Sequence, residues 1–452
     1  MKVKAIMPVR TVNLVAPLAQ KATDMHTTDT TATVRAASGA APHLIGSGLR
    51  AGGIISATGA PPTPGIATST TATRTTTTRA TKARLLPSAD PHLFQQLVQA
   101  YLDCRRTKRT SASAEAFEAR AEHNLYQLHE ELQSGTYQPG RSICFVITRP
   151  KPREVWAAQF RDRIVHHLLY NQIAPRFHAR FVADSCACIP GRGTLYAAQR
   201  LEHQVRSHTQ NWSRPAHYLK CDLANFFVSI DKTILLGQLQ RQVTEPWWMA
   251  LTETILMHDP RLDVEVRGTR HELALVPAHK SLFNAPDHHG LPIGNLSSQF
   301  FANVLLDDLD QFIKHQLRAP HYVRYVDDFV LLHDSPQWLN QAREHIEARL
   351  ATLNLCLNPR KTILQPIERG IDFVGHIIKP WRRIIRRKTI TTALRRLQHM
   401  AEADTFAAGN SYLGLAGQAS HGHTDQTRIA NILRRRGHAV AGDIGKIYRK
   451  PA

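Results

Sequence analysis

Apolar residues recur at helical spacing from Leu93 onward. Leu93, Leu97 and Tyr101, joined by Phe94, Val98 and Leu102, predict an amphipathic helix. A second helix is expected over Phe117, Ala121, Leu125, Leu128 and Leu132, with Gly135 as its C-terminal stop. Ser142-Ile143-Cys144-Phe145-Val146-Ile147 then reads as a strand, followed by the basic turn Arg149-Pro150-Lys151-Pro152-Arg153. Phe160 opens another helix, and Gly191-Arg192-Gly193-Thr194 leads into one more. Tyr218-Leu219-Lys220-Cys221-Asp222 is a strand with a carboxylate at its end. Phe301, Leu305, Leu309, Phe312 and Leu317 line one face of a long helix that follows the tight turn Gly290-Leu291-Pro292-Ile293-Gly294. Tyr322-Val323-Arg324-Tyr325 and Phe329-Val330-Leu331-Leu332 predict two strands with Val326-Asp327-Asp328 between them, and Leu339, Ala342, Ile346 and Leu350 predict a helix over residues 336–351.

Three stretches break this pattern. Residues 1–84 show no apolar periodicity and are rich in Thr, Ala, Gly and Pro, with ten Lys/Arg against two Asp/Glu. Such a segment buries too little apolar area to offset its ordering entropy, so a disordered basic arm is expected, either holding RNA loosely or without a role. Residues 258–289 are rich in Asp, Pro and His and read as an insertion loop. From Lys379 to the end there are fifteen Lys/Arg against four Asp/Glu, and Trp381-Arg382-Arg383-Ile384-Ile385-Arg386-Arg387-Lys388 reads as the start of a helical basic region. The chain therefore divides into an arm (1–84), a mixed helix and strand region (85–378) and a basic helical region with its tail (379–452).

Composition narrows the chemistry. A formal charge of +21 over 452 residues predicts attraction to a polyanion, nucleic acid first. No run approaches the roughly 18 apolar residues of a membrane span, and the first residues carry no secretory pattern, so a cytoplasmic protein is expected. Six cysteines in a long non-secreted chain predict reduced thiols rather than a disulfide framework. Cys186-Ala-Cys188 and His421-Gly-His423 fit no zinc spacing. Asp327 and Asp328 are adjacent carboxylates inside an apolar hairpin, where repulsion and desolvation both weigh against them. A hard cation with oxygen ligands, Mg²⁺ above all, relieves both. A polar turn is the plainer reading of a lone Asp pair; the second acidic strand, with Asp222 followed by Phe226 and Phe227, weighs against it.

Asp222 with Phe226-Phe227, followed downstream by Tyr325-Val326-Asp327-Asp328, resembles the two acidic motifs of reverse transcriptases. The block Phe160-Arg161-Asp162-Arg163 is similar to that of group II intron-like members. Gly290-Leu291-Pro292-Ile293-Gly294, with Ser298-Gln299, resembles the reverse transcriptases of diversity-generating retroelements, which have Ile where most others have Gln. Asn358-Pro359-Arg360-Lys361, Asp372-Phe373-Val374-Gly375-His376 and Ser411-Tyr412-Leu413-Gly414 resemble the later motifs. The resemblance runs over residues 90–437 and implies an α+β right-hand polymerase: fingers, a palm with an antiparallel sheet, and a helical thumb.

It also implies roles. Asp222, Asp327 and Asp328, with the Leu223 carbonyl, would hold two Mg²⁺ ions, with Mn²⁺ as a substitute, and Lys361 would give a proton to the leaving pyrophosphate. Lys151 and Arg153 would grip the triphosphate, and Phe227 would exclude a ribose 2′-hydroxyl. Ile293, Gly294 and Gln299 would lie beside the incoming nucleotide, and Phe373 and Gly375 would form the primer grip. RNA template, DNA or RNA primer and dNTPs are the implied partners, with a small basic accessory protein and no membrane. Ile293, offering no polar contact, implies error-prone copying opposite template adenines. The alternatives are a phage-defence or group II intron-derived reverse transcriptase and, from another class, a catalytically silent RNA-binding scaffold.

Overall fold

The computed structural model describes residues 90–106, 111–149 and 151–448, so the basic arm expected over 1–84 lies outside the described residues. Among them ten strands form three sheets. The strands are β1 (Ser142–Ile147), β2 (Arg153–Ala157), β3 (His217–Asp222), β4 (Val264–Val266) and β5 (Tyr322–Tyr325). The remaining five are β6 (Asp328–His333), β7 (Ile363–Pro366), β8 (Ile371–Phe373), β9 (His376–Lys379) and β10 (Arg382–Ile385). Helices and sheets are interleaved, giving the α+β class the sequence implied. No described helix is long and apolar enough to cross a membrane.

The central sheet has the order β5-β6-β3-β7 and is antiparallel throughout. Both its faces are covered. Leu219, Cys221, Phe329 and Leu331 point into the main core with Leu339, Ile346 and Leu350 of the helix Pro336–Ala351. Tyr218, Val323, Val330 and Leu332 point the other way, against Ala197, Leu201 and Val205 of the helix Thr194–His208. A sheet buried on both faces needs apolar residues at every position, which is why these strands read as continuous apolar runs rather than an alternation.

Three local expectations change. The single helix expected over Phe117–Leu132 is two, Ala112–Glu118 and Ala121–Ser134, broken at Arg120, whose φ of −138° and ψ of 47° are not helical. Gly135 does end the second in a left-handed cap, φ 72°. Residues 258–289 are not a plain loop: β4 pairs in parallel with β1, extending the β1–β2 hairpin, and Leu282 N donates to the buried Glu154 carboxylate of β2 (2.9 Å). The helical region expected from Trp381 begins only at Arg387. Before it, β10 closes the sheet β10-β9-β8. Arg383 faces inward there, pairs with Glu202 and donates to the Gln418 carbonyl. It thus ties the last three helices (Arg387–His399, Glu402–Ala416, His423–Arg435) to the central unit.

Candidate active site

β3 and β6 run antiparallel in a register that sets Asp222 opposite Asp328. One residue on, Leu223 N donates to the Asp327 carbonyl (3.2 Å). Three Asp residues from two distant stretches are therefore backbone neighbours where β3 ends against the β5–β6 turn. The segment after the helix Pro336–Ala351 lies across this end: Asn358 N donates to the Asp222 carbonyl (2.8 Å), and Ala224 N to that of Cys356 (2.9 Å). That placement brings Lys361 over Asp222, its Nζ 2.6 and 2.7 Å from Oδ1 and Oδ2. Lys220 Nζ sits 3.7 Å from Asp328 Oδ1 and donates to the Asp372 carbonyl (2.8 Å).

Two lysines do not neutralise three buried or half-buried carboxylates. Burial, then the Asp222 charge, pushes the Asp327 carboxyl up to about 6. Asp328 is raised too, first by burial, with Lys220 opposing and Asp222 adding to the shift. Among the described residues no three or more His, Cys, Asp and Glu side chains converge as a ready-made metal cage, and the Lys361 ammonium chelates Asp222 in a cation's manner. The donor set still fits a hard divalent ion: oxygen ligands only, of like charge and partly withdrawn from water.

The other expected residues fall into groups. Phe227 is half-buried against Phe226 (ring centroids 5.3 Å), and its carbonyl accepts from Leu291 N (2.8 Å), which joins it to the Gly290 turn. Ile293 gives its carbonyl to Trp156 N of β2 (2.7 Å), and Gly294 adopts φ 132° against the same strand. Gln299 accepts from Cys188 Sγ (3.3 Å). Lys151 and Arg153 are exposed at the turn end of the β1–β2 hairpin. Gly375 is in the β8–β9 turn, φ 88°, whereas the Phe373 ring is fully buried. The ring is therefore core, and only the turn is open to a ligand at this end of the sheet. Arg192 donates through Nη1 to the Val182 and Ser185 carbonyls (3.0 and 2.6 Å).

His166 links the Phe160–His178 helix to the one that follows Gly294: its Nδ1 is 2.5 Å from Ser297 Oγ. Burial, then His167, Arg163 and His258, lowers its pKa to about 3. An unfolded His takes a proton near 6.5, so between these values the unfolded chain holds one more proton and stability falls as pH falls. Denaturant titrations from pH 6.5 to 4 should show wild type losing about 1.4 kcal/mol per pH unit more than His166→Gln. Parallel curves would show that His166 is not buried neutral.

Comparison with known proteins adds to the geometry. Residues 149–378, about half of the chain, match the family model described as reverse transcriptase (RNA-dependent DNA polymerase). No curated protein matches. Among solved structures the chain is similar to telomerase from Candida albicans in complex with a TWJ fragment of telomeric RNA. That alignment has 12% identity and a TM-score of 0.40, over 65% of this chain and 55% of that one. The chain thus spans little more than half the length of that solved chain.

Proposed function

The chain belongs to the reverse transcriptase family, and on that premise we propose that it is an RNA-directed DNA polymerase making cDNA by divalent-ion-assisted nucleotidyl transfer. One observation carries the reading: Asp222 and Asp328 are cross-strand partners, with Asp327 beside them. Asp222, Asp327 and Asp328 would hold two Mg²⁺, or Mn²⁺ in their place, with the Leu223 carbonyl as a further oxygen. When bound, the ions lower the pKa of a primer 3′-hydroxyl and stabilise the departing pyrophosphate.

The chain's own groups do the rest by position and charge. Lys361 Nζ, held at Asp222, carries a proton within the site and is the group to hand it to the leaving phosphate. The exposed Lys151 and Arg153 would grip the triphosphate from the β1–β2 hairpin, which takes the part of fingers. The central sheet is the palm, and the basic helices after Arg387 are the thumb, suited to the phosphates of an RNA template and its primer. Phe227, fixed through Leu291, would lie under the sugar and select dNTPs.

We further place the chain with the diversity-generating retroelement enzymes, which implies a small basic accessory protein. Support comes from Ile293, whose backbone is engaged by β2 and whose side chain offers only apolar contact. Weaker polar enforcement of pairing lowers fidelity. Sequencing cDNA made by wild type and Ile293→Gln tests this: errors opposite template adenines should dominate in wild type and fall in the variant. Equal error spectra would discard the retroelement assignment.

A further inference from the structure

Arg324, two residues before Val326, is fully buried together with Asp310. A buried guanidinium is tolerated when each of its five N–H groups finds an acceptor. Here each does. Nε donates to Asp310 Oδ1 (2.8 Å) and Nη2 to Asp310 Oδ2 (2.6 Å) and Ser185 Oγ (2.9 Å). Nη1 donates to Asn303 Oδ1 (3.1 Å) and to the Val326 carbonyl (3.0 Å). Four of the five acceptors lie outside the β5–β6 turn, on the helix Leu296–Gln311 and on the segment beside β5. They are fixed in turn. Asp310 also accepts from Tyr322 (2.7 Å), and the Asn303 amide is oriented by its bond to the Ala187 carbonyl (2.7 Å). The Arg324 backbone is bonded on both sides, its N to the Asp184 carbonyl and its carbonyl to Cys186 N (both 2.9 Å). The guanidinium is thus set by rigid elements, and its fifth bond reaches the turn.

That turn has an unfavoured residue in it. Val326 is left-handed, φ 56°, at a position where two-residue hairpins favour Gly or Asn, and a β-branched side chain resists this conformation. The half-buried Val side chain packs against the main core, but it makes no hydrogen bond that sets the direction of the peptide. The carbonyl that Arg324 grips belongs to the peptide joining Val326 to Asp327, so releasing it frees that peptide to turn and to carry the Asp327 carboxylate with it.

We propose that Arg324 is a positioning residue: it holds the strained Val326 peptide and thereby aims Asp327 into the site. The role rests on the polymerase reading and deepens it. It also links the helix that begins after Ile293-Gly294 to the acidic turn through one buried ion pair, so a shift of that helix moves Asp327. Lysine cannot substitute, because an ammonium lacks the planar fork that reaches Asp310, Asn303 and Val326 together.

The test uses Arg324→Lys and the milder Asn303→Ala, which keeps the ion pair, each alone and with Val326→Asn. Asparagine accepts the left-handed conformation more readily than valine. Arg324→Lys should lower kcat by roughly 100-fold, the scale of a misplacement of about 1 Å, with KM for dNTP little changed. Hydrogen exchange should quicken at residues 326–328 while the rest of β6 stays protected. Adding Val326→Asn should restore both rate and protection, which a loss of core stability alone would not allow. A kcat that merely follows the folded fraction, or no recovery on adding Val326→Asn, overturns the proposal. Wild type that extends no primer would sink the polymerase reading instead, and exchange at the turn would then decide the role of Arg324 alone.

Discussion

The Asp222→Asn variant is expected to lose DNA synthesis by roughly a thousandfold while binding RNA about as tightly as wild type. Asp222 is buried, stands opposite Asp328 and is held by Lys361 through both oxygens. Asparagine keeps the shape and removes the charge, so the site loses a proposed cation ligand and Lys361 loses its counter-charge. The Asp222 charge is also one of the causes that raise Asp327, so the Asp327 pKa should fall in the variant. RNA affinity should persist, because it draws on a basic surface spread over the chain rather than on one carboxylate. Primer extension and equilibrium RNA binding, measured on the same preparation, separate the two properties. Activity within tenfold of wild type would remove Asp222 from the mechanism.

The second large effect is expected at Gly294. Its φ of 132° is open to glycine alone in practice, and a Cβ there would lie 2.7 Å from the Trp156 carbonyl oxygen and 3.1 Å from Val155 Cγ1. The nearer atom is backbone of β2 and cannot swing aside. Gly294→Ala must therefore push the turn off β2, straining the bonds from Trp156 N to the Ile293 carbonyl and from Ala158 N to Asn295 Oδ1 (3.2 Å). Activity should fall about 100-fold, and stability by about 1–3 kcal/mol from the backbone strain alone. Gly237→Ala is the control. It lies inside the helix Lys232–Gln240 with nothing within 4 Å of its added methyl group, and should stabilise by about 0.5–1 kcal/mol. Thermal unfolding of both variants checks the contrast. Equal melting temperatures would mean that the turn does not rest on β2.

Much of the site was readable from the chain because its chemistry is local. Asp222 ends a strand of apolar residues and Asp327-Asp328 interrupt another, and pairing those strands is enough to bring them together. The helix over residues 336–351 was legible for the same reason: its apolar stripe is regular, and Pro336 and Ser335 mark its start. What the sequence hid depends on contacts between distant elements. Arg324 sits in an apolar strand with no partner in sight, and Asp310 is 14 residues away on a helix. No local period announces such a pair. Its one signal is a charge at a position where the neighbours on both sides are apolar. β4 is three residues long, too short to show an alternation amid Asp, Pro and Arg. β10 misled through its arginines: their density suggested the start of a basic helical region, yet the segment is a strand and Arg383 turns inward to Glu202. The break at Arg120 was masked because the apolar spacing continues across it.

Single-nucleotide addition to a labelled primer annealed to RNA, with Mg²⁺ as the variable, tests most directly whether the three carboxylates form a polymerase site. The wild-type protein should add the complementary dNTP only when Mg²⁺ or Mn²⁺ is present, and Asp327→Asn should add none while still binding the duplex. Extension that persists in a chelator, or that survives Asp327→Asn undiminished, would contradict the account.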